Sequence, residues 1–246
     1  MRLGYISDIH HEHDDSKIPV PEVDILILAG DIDVRPKGLK VLLKTLRSQT
    51  NAPILYIMGN HEYYNHTFPD IREQYRAQVE KVLNVHLLER SIFFINNVRF
   101  LGTTLWSDLS NPIHATDVQN GLYDFKLIHN ADRSRFRASD CTAEWKKNAA
   151  WLEQELCCQY DGKTVVITHH SPSSITCASD YKYSRIRFGF HSDMEDLIFK
   201  YQPDIWIYGH DHMSAHHKLG ETLLISNQAG YPHEGRKNAI IKIIEV

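Results

Sequence analysis

The chain has 246 residues, 42% hydrophobic and 24% charged, with a formal net charge of -4. That length suits one domain, residues 1–246, with a sizeable core; the slight, well-mixed acidity argues against a surface that coats nucleic acid or another polyanion, while leaving room for a local basic pocket. The unusual feature is sixteen histidines, whereas the four cysteines (Cys141, Cys157, Cys158, Cys177) show no CxxC spacing and are expected to be reduced thiols.

A first strand over residues 3–6 starts close to Met1 and leaves no room for a signal peptide, and no apolar run approaches the ~20 residues of a membrane span. A soluble, cytoplasmic protein is expected, without membrane contact. After a polar loop with Pro19 and Pro21, residues 25–29 are apolar and mostly branched, a strand buried on both faces. Gly30 then turns the backbone tightly and delivers Asp31 at the strand's carboxyl end. Leu39, Leu42, Leu43 and Leu46 mark one stripe of a helix over 37–48. A strand over 54–58 precedes a helix over 69–83, where Ile71, Tyr75, Val79 and Val82 line one face.

The pattern then changes. Residues 93–95 and 98–101 flank Asn96-Asn97, a pair suited to positive φ, and read as a hairpin, so a mixed sheet is expected. Residues 106–137 have weak periodicity and are read as an insertion, either at the sheet edge or over the site. A helix over 141–158 presents Trp145, Ala149, Leu152 and Leu156, with Asp140 as its expected N-cap. Residues 165–168 form a strand, and the polar segment 171–190 is long enough to suggest a functional or mobile loop. Ser192 to Glu195 has a capping-box pattern opening a helix that ends near Tyr201. After a strand from Ile205, the β-branched runs 222–226 and 239–246 are expected to pair with each other. Alternating strands and helices with a β-rich second half suggest two sheets face to face and helices outside.

Five strand ends carry groups suited to hard or borderline metal ions. In order they are Asp8-x-His10, Gly30-Asp31, Gly59-Asn60-His61-Glu62, His169, and Gly209-His210-x-His212. One such piece carries almost no information; five in order at strand ends are specific. This constellation resembles the calcineurin-like metallophosphoesterase family, whose signature is D-x-H, G-D, G-N-H-[D/E], H and G-H-x-H. The resemblance spans nearly the whole chain. It implies a four-layer α/β/β/α sandwich of two mixed sheets flanked by helices, and two metal ions bridged by Asp31. One ion would be held by Asp8, His10, Asp31 and His212, and the other by Asp31, Asn60, His169 and His210. Of the tandem histidines, His169 is nearer the strand end and matches the motif, although either could face the metals.

Imidazole and carboxylate donors suit divalent or trivalent Mn, Fe or Zn. Two divalent ions against two carboxylates and one bridging hydroxide leave a charge of about +1, which attracts a phosphate ester. Such a pair activates water and stabilises entering and departing oxygens in an in-line displacement. The resemblance gives His61 the role of contacting phosphate or protonating the leaving group, as an imidazole protonated near pH 7, with Glu62 as its orienting partner. Tyr63 and Tyr64 either wall a substrate pocket or pack against the following helix. Asp211 is expected to point away from the metals, Arg35, Arg185 and Arg187 to be solvated, and His11 to be a surface or loop residue.

The expected function is hydrolysis of a small-molecule phosphate ester, with phosphodiesters such as cyclic nucleotides ahead of phosphomonoesters. Met58 and Val34 depart from the arginine-bearing motifs of the protein phosphatase branch, which argues against a phosphoprotein substrate. Neither a basic face nor an added DNA-binding module points to nucleic acid. The rival class is a scaffold on the same fold that binds a protein partner through a decayed site; such a scaffold is expected to lose ligands or the catalytic His, and both are present.

Overall fold

The computed structural model describes residues 1–234 and 239–246, except for the side chain of residue 180. In chain order its elements begin with β1 (Arg2–Ile6), β2 (Ile25–Ala29), α1 (Pro36–Arg47), β3 (Ile54–Ile57), β4 (Thr67–Phe68), α2 (Ile71–Val79), β5 (Val85–Leu87), β6 (Ser91–Ile95) and β7 (Val98–Thr103). They continue with α3 (Pro112–Gly121), α4 (Asp124–Leu127), β8 (His129–Asn130), α5 (Ala138–Cys157), β9 (Lys163–Thr168), α6 (Glu195–Tyr201), β10 (Ile205–Tyr208), β11 (His216–Leu219), β12 (Thr222–Ser226) and β13 (Lys242–Glu245).

Two mixed sheets carry the architecture. One has the order β13-β1-β2-β3-β5 and the other β11-β12-β10-β9-β7-β6. β1, β2, β3 and β5 run parallel, as do β7, β9, β10 and β12, while β13, β6 and β11 are antiparallel to their neighbours.

The period-two alternation of a strand explains the layering, because successive side chains leave opposite faces. From β1 and β2, Leu3, Tyr5, Ile25 and Ile27 meet Phe100, Val165, Ile167, Ile205 and Ile207 of the other sheet. The intervening Leu26, Leu28, Ile54 and Tyr56 turn outward onto Leu39, Leu42, Leu43 and Leu46 of α1 and Ile71, Tyr75 and Val79 of α2. On the opposite side Leu101, Val166, Trp206 and Tyr208 cover Leu152 and Leu156 of α5 and Ile198 of α6. Strands buried on both faces need unbroken apolar runs, and β2 and β10 have them. The result is the α/β/β/α order expected from the sequence.

Several local expectations are corrected. α2 stops at Val79, because the following amides of Lys81 and Val82 bond three residues back, to Gln78 and Val79, and tighten the last turn. α5 begins at Ala138, with Asp140 inside the helix. There the Asp140 carboxylate accepts from the Arg137 amide at 2.9 Å, a reach back from the third helical position that replaces the expected N-cap. The 192–195 capping box does not form: Glu195 accepts instead from the Ser173 hydroxyl at 2.6 Å, and Ser192 donates to the Trp106 carbonyl. β12 and β13 do not pair with each other. They lie in different sheets, β12 between β10 and β11, and β13 on the free edge of β1.

The hairpin is as read, with Ile95 opposite Val98 and φ of 48° and 59° at Asn96 and Asn97. All four cysteines are free thiols, and among the described residues no helix is long and apolar enough to cross a membrane.

Candidate metal centre

Parallel strands that start together also end together, and β1, β2 and β3 of one sheet and β9 and β10 of the other end at a common rim. Beyond each end the chain bends sharply. Asp8, His10, Asp31, His210 and His212 all have positive φ, between 48° and 89°. Non-glycine residues avoid this region, so five together mark backbone held in place by its surroundings. The restraints are visible. The amides of Asp8 and His10 donate to the carbonyls of Gly30 and Asp31, and the amide of Gly209 donates to the carbonyl of His169. Between the sheets, the His210 amide donates to the Asp8 carboxylate at 3.1 Å, and His169 Nδ1 lies 2.9 Å from the Ala29 carbonyl.

Two glycines make room for this crossing of loops. Gly30 has φ of 89°, and a Cβ there would collide with the His169 ring; one at Gly59 would strike the Asp31 carboxylate.

The donors fall into two groups. In the first, His10 Nε2 and His212 Nε2 face each other at 3.1 Å, and Asp8 Oδ1 lies 3.6 Å from His212 Nε2. The second comprises Asp31, His169 and His210, with His169 Nε2 3.3 Å from Asp31 Oδ1 and 3.0 Å from Asn60 Oδ1. Donor atoms 3.0 to 3.6 Å apart are spaced as ligands sharing an ion through bonds of about 2.1 Å. All seven residues named from the sequence thus come together, and the chemistry of the donor set fits divalent metal ions.

The electrostatics agree. The neighbouring histidines, with His169 foremost, overcome burial and hold Asp31 well below the usual carboxylate range. Burial alone would lower His169, but the Asp31 carboxylate outweighs it and holds the imidazole up at about 10. A proton there occupies ground suited to a cation.

Outer partners fix these side chains. The Asn60 amide nitrogen donates to Asp124 at 2.8 Å, which aims its oxygen inward, and the Tyr64 hydroxyl donates to the same carboxylate oxygen at 2.7 Å. His212 Nδ1 lies 2.9 Å from Glu234. Asp124, at the start of α4, and Glu234 carry no strand-end motif, and nothing in their neighbouring sequence signals their roles.

Other expected residues sort clearly. His170 is buried against Trp106, with Nδ1 towards the Thr104 carbonyl. Asp211 accepts from the Ala178 and Met213 amides and the Gln228 side chain, away from the donor groups. Tyr63 is core, whereas Tyr64 packs at a tilt against His61 with centroids 4.2 Å apart. Arg35 pairs with Asp33 and is 56% exposed. His11 lies in the turn after the first motif, with its ring against the Asp33 carboxylate at 3.0 Å.

Glu62 requires a larger correction. Its carboxylate does not reach the His61 imidazole. It accepts from the amides of Asp31 at 3.1 Å, Ile32 at 2.8 Å and Gly59 at 2.8 Å, and from the Tyr56 hydroxyl at 3.0 Å. The expectation of a protonated His61 near pH 7 is also revised for the free site. Burial first, then the neighbouring histidines, lower this imidazole to about 3 against the pull of Asp31.

A cavity of about 260 Å³ opens over the centre, walled by Tyr64, Tyr123, Tyr181, Phe190 and Tyr231. Residues 106–137 and 171–190 both contribute to it, so the first of these segments lies over the site. Paired imidazole–carboxylate groups at the rim of a double sheet make a metal-dependent hydrolase of phosphoric esters. The chain belongs to the calcineurin-like phosphoesterase family, whose sequence profile matches residues 1–214.

An uncharacterised protein of Acanthamoeba polyphaga mimivirus is 26% identical, over 94% of this chain and 92% of its own length. Among solved structures, the phosphopantetheinyl hydrolase of Mycobacterium tuberculosis is similar with a TM-score of 0.77 and 18% identity, over 98% of this chain and 95% of that one. A dimetal phosphatase from Danio rerio has a TM-score of 0.54 and 15% identity, over 92% and 86%.

Proposed function

We propose that the protein hydrolyses small-molecule phosphodiesters, using two ions of the Mn, Fe or Zn type. Asp8, His10, Asp31 and His212 would hold one ion, and Asp31, Asn60, His169 and His210 the other. When bound, such a pair supplies Lewis acidity and an activated water.

The observation that carries the diester reading is the lining of the cavity. Its walls are largely aromatic and aliphatic, with the acids Asp31, Asp124, Asp211 and Glu234, and among the described residues no lysine or arginine lines it. A monoester dianion needs added positive charge, whereas a diester brings one negative charge and a second organic group that aromatic walls can cover. The name of the Mycobacterium tuberculosis neighbour makes a phosphopantetheinyl ester a candidate beside cyclic nucleotides.

The chain's own residues divide the remaining work. His61 Nε2 lies 3.8 Å from Asp31 Oδ2 and faces the cavity, placed to contact the phosphoryl group and give a proton to the departing oxygen. The negative charge of a bound ester raises the imidazole from its low resting value.

With Mn²⁺ loaded, kcat/KM for bis-p-nitrophenyl phosphate is expected to exceed that for p-nitrophenyl phosphate by about 10-fold, a difference of about 1.4 kcal/mol. Monoester preference would overturn the diester reading, and no turnover of either would leave a binding scaffold. His61→Ala should retain both metal equivalents in elemental analysis yet lose about 10²- to 10⁴-fold in turnover.

A further inference from the structure

We infer that Glu12, two residues beyond His10, is a positioning residue that holds the ring orientation and tautomer of both His10 and His61. The inference deepens the phosphoesterase reading and rests on it. Glu12 follows the first motif and precedes a polar loop, and its side chain is only 8% exposed. One carboxylate oxygen, Oε2, accepts from the Val34 amide at 3.3 Å. The other, Oε1, is buried without a hydrogen bond, as is His10 Nδ1.

Three imidazole nitrogens surround Oε1: His10 Nδ1 at 3.5 Å, His61 Nδ1 at 3.9 Å and His13 Nε2 at 3.8 Å. A buried carboxylate oxygen among ring nitrogens is stable only where those nitrogens carry hydrogens aimed at it. Nδ1–H on His10 leaves its Nε2 lone pair for the donor group shared with His212. On His61 the same tautomer leaves Nε2 towards the cavity, where the Tyr231 hydroxyl lies 3.0 Å away.

His10, Glu12 and His61 also lie close enough together to surround an ion. Such an ion would need both nitrogens of His10 free of hydrogen, since Nε2 already belongs to the first donor group. Orientation is the reading consistent with a neutral imidazole ligand.

In the reaction the attacking water gives a proton to the Nε2 lone pair of the neutral ring as its oxygen bonds to phosphorus, and the phosphorus–oxygen bond to the leaving group breaks as the departing oxygen takes that proton. Nε2 ends with its lone pair restored, and the Nδ1 hydrogen stays on His61, facing Glu12, throughout. Leaving groups that depart readily without a proton need this less than basic ones do.

The test compares wild type, Glu12→Ala and Glu12→Gln, each Zn²⁺-loaded, on methyl aryl phosphate diesters with phenols of graded acidity. Glu12→Ala is expected to retain two metal equivalents and to lose about 10²-fold with the most basic phenol but under about 3-fold with p-nitrophenol. Glu12→Gln, which keeps an acceptor oxygen, should recover part of the loss. An equal loss across the series would overturn the inference.

Nitrogen-resolved NMR of the imidazoles gives a reading independent of turnover. Wild-type His61 should carry its hydrogen on Nδ1, and Glu12→Ala should lose that preference. A wild-type Nε2–H tautomer would overturn the positioning role even if the diesters are hydrolysed. If no ester is hydrolysed but Nδ1–H is found and depends on Glu12, the enzymatic reading fails and the positioning role stands.

Discussion

Asp31→Asn is expected to reduce bound metal from two equivalents to one or fewer and to lower turnover by on the order of 10³-fold. The two carboxylate oxygens already have separate tasks. Oδ1 accepts from the His61 amide at 2.9 Å and lies 3.3 Å from His169 Nε2, while Oδ2 lies on the side of the His61 ring. An asparagine can keep an acceptor towards the His61 amide only by turning its NH2 hydrogens to the other side, where a cation would meet donors. The reversed rotamer sets donor against donor at the His61 amide. Neither arrangement bridges two ions, and the lost negative charge leaves the cluster more positive. Elemental analysis after reconstitution and circular dichroism check this together. Lost metal with unchanged helix and strand content is the expected result; two retained equivalents would remove Asp31 from the bridging position.

The sequence makes the centre legible wherever a ligand follows an apolar strand, because a strand end fixes where the next side chain goes. Asp8, Asp31, Asn60, His169 and His210 each follow a strand in this way, and parallel neighbours in each sheet bring them together. The unbroken apolar run of β2 likewise marks a strand covered on both faces, and the alternation of strands and helices with a β-rich second half points to two packed sheets.

The residues that hold the ligands were not legible. Asp124 reaches Asn60 across 64 positions, from a segment whose short helices lack a strong apolar stripe, and Glu234 reaches His212 from a single 3-10 turn. Nothing local marks a carboxylate whose partner is set by chain crossings. The β12–β13 expectation failed for a related reason. Two β-branched runs near each other in sequence give no information about which edge each will join, and β13 returns to pair with β1 at the start of the chain. The capping box at 192–195 failed because Ser173 and the Trp106 carbonyl, distant in sequence, compete for its side chains.

Glu62 shows how a motif residue can be rightly singled out and wrongly assigned. Next to His61 in sequence, it was expected to orient the imidazole, but the 3-10 turn that starts at His61 swings it into the interior, where it is fully buried. Its four donors come from the β2 loop, the β3 loop and Tyr56, so one carboxylate clamps together the two turns that deliver Asp31 and Asn60.

Glu62→Ala leaves three buried amides and the Tyr56 hydroxyl without their acceptor, each worth about 1 to 3 kcal/mol. A destabilisation of at least about 4 kcal/mol is therefore expected, a large part of the 5–15 kcal/mol that typically holds a domain folded. Glu62→Gln should fall between alanine and wild type. Its oxygen can serve the Asp31 and Gly59 amides while its NH2 group donates to the Tyr56 oxygen, and only the Ile32 amide is left unpaired. Denaturant unfolding of the metal-free proteins measures the order directly. If Glu62 instead acted on His61, Glu62→Gln would lower turnover with stability and metal content unchanged; a clamp requires stability and metal affinity to fall together, with turnover per bound metal pair nearly constant.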